Sequence, residues 1–100
     1  MGLLHTYLNS VEVKKLLVSR SQQYNIPFKW ICAEVGINYN HFLERYINAF
    51  DSSKYVISEK AFEEILELLG VYVKVSLVIS NDFRADTVLA RLKEKHAWKH

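Results

Sequence analysis

The sequence predicts a mainly α, single-domain protein with five helices and one β-strand before the last helix. Three observations carry that prediction. Apolar residues recur at helical spacing in five stretches, while one stretch, Val71 to Ile79, alternates with period two. One Pro and three Gly leave little room for long linkers. Half of the 100 residues are hydrophobic and 24% are charged, a balance that builds a core rather than a disordered chain. At this length folding buries roughly two-thirds of the unfolded surface, enough for one core. The domain is therefore read as residues 1–100, with a helical core over 10–70, a strand over 71–79 and a last helix over 81–95.

Ser10 is a suitable N-cap for the first helix, in which Val13, Leu16 and Leu17 form a stripe reaching about Arg20. The polar run from Ser21 to Asn25 is expected to end it. Pro27 sits where a first helical turn accepts proline. Phe28, Ile31, Cys32 and Val35 then share one face, and Gly36 closes that helix in a left-handed conformation. Asn38 or Asn40 caps the third helix, whose stripe is Phe42, Leu43, Tyr46, Ile47 and Phe50. Ser58 caps the fourth, with Ile57 and Phe62 placed as a hydrophobic staple. Its inner residues are Ala61, Phe62, Ile65, Leu66 and Leu69, its outer side carries four glutamates, and Gly70 ends it. Asn81 or Asp82 is the expected cap of the fifth, with Ala85, Val88, Leu89 and Leu92 facing inward and Arg84, Arg91, Lys93 and Lys95 outward.

Two short helices joined by a tight glycine turn inside a helical domain describe a helix-turn-helix. Small Cys32, four residues before Gly36, suits the contact between the helices, and Ile37 plugs their angle. The stretch IPFKWICAEVGINYNHFLERYINA resembles the lambda-repressor/Cro-like helix-turn-helix family. SEKAFEEILELLGV resembles that family's following helix, so the likeness covers about residues 11–75. The resemblance implies a five-helix helix-turn-helix domain that binds double-stranded DNA and regulates transcription, of the size found in phage- or plasmid-borne regulators.

One departure bears on the site. Family spacing puts the buried positions of the second helix six and nine residues after the glycine, at Phe42 and Arg45. A buried arginine is costly unless paired. A register shifted by one residue, through a longer turn at Asn38, buries Leu43 and Tyr46 instead. Tyr39, Asn40, His41, Glu44, Arg45 and Asn48 then point outward. These residue types suit a major groove: Asn pairs with adenine, Arg with guanine, and Glu accepts from cytosine. Asn38 and Tyr39 would lie at the helix start, Lys29 over the backbone, and Lys54, Ser21, Gln22 and Gln23 near phosphates that hold register.

A lone strand leaves its backbone groups unpaired. Internal partners are weak, at Leu3–Leu8 and Tyr55–Ile57. Pairing with a second copy through Val71, Val73, Val75, Leu77 and Ile79 would satisfy the edge, and the resemblance implies the same mode of homodimerisation. Such a dimer would set two reading helices roughly 34 Å apart on a palindromic site.

Charge is mildly basic, 13 Lys and Arg against 11 Asp and Glu, with the acid concentrated in residues 51–80. That leaves room for a second reading, a helix-turn-helix scaffold that binds a host protein. A single cysteine excludes an internal disulfide and a thiolate zinc cluster, and fits a reducing cytoplasm. No span-length apolar run and no secretory leader pattern is present, so no membrane role is expected. His41 and Glu44 at i, i+3 lack a third ligand. His5, His96 and His100 are expected to be terminal and exposed, and Trp30 to pack under a neighbouring element. No phosphate loop, nucleophile–base pair or paired-carboxylate motif appears, so neither enzyme activity nor a cofactor is expected.

Overall fold

The structure, a computed structural model, describes residues 11–49, 55–73 and 77–96. It is mainly helical, with five helices and a short two-stranded sheet before the last helix. The helices are α1 (Val11–Tyr24), α2 (Phe28–Val35), α3 (Tyr39–Phe42, running on as a π-helical turn over Leu43–Ile47), α4 (Glu59–Leu68) and α5 (Ala85–His96); strands β1 (Val71–Val73) and β2 (Leu77–Ile79) lie between α4 and α5. Helix α2 packs against α3, α4 and α5, which makes it the centre of the domain. Its Ile31 and Cys32 are fully buried, among Leu17, Phe42, Phe62, Ile65, Leu66 and Leu92. Burying each large side chain of this set contributes about 1.5–3 kcal/mol.

Helix α1 runs four residues further than its polar sequence suggests. Asn25 takes a left-handed φ of 56°. The Ile26 N–H then donates to the Ser21 carbonyl at 3.0 Å and the Asn25 N–H to the Gln22 carbonyl, which satisfies the helix end. Ser21 is buried, and its hydroxyl donates to the Ile26 carbonyl at 2.7 Å. The polar run is thus the helix's last turn, with asparagine in the role glycine usually fills.

Among the described residues Arg20 is the buried cation, 8% exposed. Its Nε donates to the Leu69 carbonyl at the C-terminal end of α4. The guanidinium lies 5.1 Å from the Tyr24 ring centroid and 5.3 Å from that of Phe83. Among the described residues no carboxylate pairs with it. The partial negative charge at the helix end and the two ring faces offset its desolvation instead.

The segment 71–79, expected as one strand, is a hairpin. Val71 pairs with Ile79, Tyr72 with Val78 and Val73 with Leu77, antiparallel, and the Ser80 N–H donates to the Gly70 carbonyl at 2.8 Å to close the base. The period was a faithful signal, yet blind to the fold-back. In this register odd positions face odd positions, so both strands keep one alternation. The backbone that was expected to seek a second copy is paired within the chain along one edge of each strand. Val71 is buried, Leu77 is half-buried and Ile79 is 45% exposed, so the expected interface residues do not share one environment. Val75 and the Val73 side chain lie outside the described residues, as do Leu3–Leu8.

Helix α5 starts at Ala85, later than the expected caps. Asn81 and Asp82 form a turn in which the Ser80 hydroxyl accepts from the Asp82 N–H at 3.3 Å. The first α5 bond runs from the Val88 N–H to the Arg84 carbonyl. The intervening residues carry Phe83 inward to the rings of Arg20's cage, where it meets Tyr24 edge-on at 5.3 Å. At the other end of α5, His96 is half-buried, not exposed as expected: its Nε2 lies 3.0 Å from a Glu34 carboxylate oxygen on α2, beside Lys95 at 3.2 Å.

Candidate nucleic-acid interface

The corner between α2 and α3 is made by backbone rules. Gly36 sits at φ 86°, ψ 31°, and the N–H groups of Gly36 and Ile37 both donate to the Cys32 carbonyl, at 2.8 and 3.0 Å. Two residues on, the Asn38 Oδ1 accepts from the His41 N–H at 2.9 Å and caps α3. Trp30 and Ile37 are half-buried against the core, as their positions suggested.

The inner side of α3 is aromatic. Phe42 and Tyr46 are both fully buried. Phe42 meets Phe28 of α2 at 5.4 Å between centroids, Tyr46 lies 5.8 Å from Tyr55 in a stacked pair, and Phe62 of α4 meets Tyr46 edge-on at 6.3 Å. Burial pushes the phenols of Tyr46 and Tyr55 above the usual tyrosine range, so both are neutral at physiological pH.

This settles the register differently from either expectation. The family spacing would bury Phe42 with Arg45, and the shifted register Leu43 with Tyr46. The structure buries Phe42 with Tyr46, while Leu43 is half-buried and Arg45 exposed. No longer turn at Asn38 is needed, because the extra residue is absorbed inside the helix. The Asn48 N–H donates to the Leu43 carbonyl at 2.8 Å, five residues back, which is a π-type bond. In an α-helix, positions three and four after Phe42 both lean to its side. The wider turn keeps Tyr46 there and carries Arg45 away.

Of the residues singled out, Asn40, His41, Glu44, Arg45 and Asn48 are exposed on α3 and its π extension. Asn38 is exposed with its side-chain oxygen committed to the cap, and Tyr39 is half-buried against the core rather than fully outward. Lys29 is exposed in the first turn of α2, and Gln22 and Gln23 on the last turn of α1. Ser21 is buried and is no phosphate contact. Lys54 lies outside the described residues.

Sequence reasoning gave no role to Lys14. Its Nζ donates to the Ala49 carbonyl at 3.3 Å and stands 5.4 Å from the Tyr46 ring centroid. With Lys15 it borders an open groove of about 680 Å³ between α1 and the end of α3, walled by Val11, Val18, Ile47 and Ala49. The Lys14–Lys15 pair was visible in the sequence, but its position beside α3 was not.

The hydrogen bond to His96, with help from Lys95, holds the Glu34 carboxyl below the usual glutamate range. Burial pushes the Cys32 thiol up to about 12. Among the described residues no three or more His, Cys, Asp or Glu are grouped to hold a metal, and no helix is long and apolar enough to cross a membrane. Comparison with family models, curated proteins and solved structures finds no match for this chain.

Proposed function

We propose that this chain is a sequence-specific double-stranded DNA-binding protein of the lambda-repressor/Cro-like type, a cytoplasmic regulator of transcription rather than an enzyme. The observation that carries the reading is the two-sided α3: a fully buried aromatic pair, Phe42 and Tyr46, beneath an exposed row of Asn40, His41, Glu44, Arg45 and Asn48. Such a row offers donors and acceptors at the height of base edges, and a rigid base holds it in place. Lys29, Gln22 and Gln23 would meet flanking phosphates.

Homodimerisation on a palindromic site belongs to the same proposal. With the hairpin closed on itself, the second copy would meet its outer edges, near exposed Tyr72 and Ile79. The test is selection from random duplexes, followed by a salt series on the selected site. Log affinity should fall with log salt by about 0.9 per phosphate neutralised, and the consensus should show two-fold symmetry. Absence of duplex binding at low salt overturns the reading.

One observation favours a second reading, that the scaffold binds a protein. The groove beside α1 has apolar walls, including Val11 at 58% exposure, and among the described residues its charged lining is Lys14 and Lys15. That chemistry suits an acidic, amphipathic segment. Binding of this kind would leave duplex DNA untouched.

A further inference from the structure

The π-turn at Leu43–Ile47 costs backbone regularity, and its effect falls on one side chain. Phe42 and Tyr46 stay in the core while Arg45 between them is exposed. Among the described residues Arg45 makes no hydrogen bond or ion pair. Its charge acts on the nearby Tyr55 phenol, but its fork of five donors has no hydrogen-bond partner there, and the backbone beneath it is anchored by the Asn48-to-Leu43 bond and two buried rings. Nearby Glu44 is also exposed, but as an acceptor only it suits a cytosine and not a guanine edge.

We propose that the π-turn is an aiming device which makes Arg45 the specificity-determining side chain, reading a guanine edge through a bidentate contact. The inference rests on the DNA-binding reading and adds which residue selects and why the helix is irregular there. A bidentate contact tolerates little displacement, about 0.5 Å, so the path of the turn matters as much as the residue. Removing one residue from the turn should turn it into ordinary α-helix. Deleting Glu44 places Tyr46 three positions after Phe42, still on the core side, and re-aims Arg45.

The experiment compares four proteins with the parent on randomised and then selected duplexes: Arg45→Ala, Glu63→Ala at an exposed position of α4 away from the row, a deletion of Glu44, and the swap Glu44→Arg with Arg45→Glu. Circular dichroism and urea midpoints report folding. Support is a parent consensus containing a guanine whose replacement weakens binding about 10- to 100-fold. Arg45→Ala should lose that preference, the deletion and the swap should lose or displace it, and Glu63→Ala should keep it. If the deletion does not fold, the swap, which leaves the core untouched, decides the matter. A parent that selects a consensus which Arg45→Ala or the swap leaves unchanged overturns the inference and spares the DNA-binding reading. A parent with no duplex binding overturns both.

Discussion

Two helices of this domain end on a glycine in the same left-handed conformation, and the two glycines are there for different reasons. Gly36 closes α2 at φ 86°, and a Cβ added there would meet nothing within 4 Å. Gly70 follows α4 at φ 81°, and an added Cβ would lie 2.5 Å from the Phe83 Cγ and 2.6 Å from an Arg20 nitrogen. The first corner needs only a backbone angle, so its surroundings are open and α3 can present its outer face. The second needs both the angle and the space, because the Arg20 cage closes directly over it. One corner is a mount for a surface; the other is the clamp that joins α1, α4 and the approach to α5.

The comparison breaks most visibly at Gly70. Gly70→Ala adds a left-handed penalty to overpacking against the root of the half-buried Phe83 ring, which cannot swing aside without its backbone. A loss of about 2–5 kcal/mol is expected in urea unfolding. Next comes Arg20→Met, which keeps the apolar stem but removes the bond to the Leu69 carbonyl and both ring contacts. About 1–3 kcal/mol should be lost, again by urea midpoint, with α4 and the hairpin losing amide-exchange protection before α3 does.

At the open corner the effects are smaller. Gly36→Ala should cost about 1–2 kcal/mol and Gly36→Asn less, since asparagine tolerates the conformation that Asn25 already shows. A Gly36→Ala penalty as large as that of Gly70→Ala would refute the distinction drawn here. The smallest effect belongs to Glu34, which ties α2 to Lys95 and His96 on α5. Its carboxyl is held below its ordinary value, so its contribution is complete above the unfolded glutamate range, about pH 4.3, and is lost as pH falls through the lower folded value. Glu34→Gln should lower stability at pH 7 by no more than about 1 kcal/mol, and the difference from the parent should shrink on acidification.

The helices, the Ser58 and Asn38 caps and the Gly36 turn were legible because each depends on local chemistry. Four features were not, and each failure has a physical source. The end of α1 was misplaced because Ser21 and Asn25 look like loop residues, yet a hydroxyl bond and a left-handed asparagine make them a helix end. Arg20 looks like a surface residue at a helix terminus. Only tertiary structure supplies the rings of Tyr24 and Phe83 and the carbonyl of Leu69 that let it be buried. The pairing of the two strands escaped because its register sets odd positions against odd positions, so the sequence alternates as one strand would. The site register escaped because Phe42, Leu43, Tyr46 and Ile47 admit two α-helical faces, and the chain adopts a π-turn that satisfies parts of both. The exposed row of Asn40, His41, Glu44 and Arg45 was legible as a set; the device that arranges it was not.

Cys32 has a practical consequence. The sulfur is fully enclosed beneath the Gly36 corner and its proton is held far more tightly than in an ordinary thiol. Alkylating reagents and oxidants, which need the thiolate, will find it inert while the domain is closed. With this as the chain's one cysteine, the rate at which a maleimide or disulfide reagent labels the protein becomes a clock for opening. Any ligand that clasps the folded form should slow that clock in proportion to how tightly it holds.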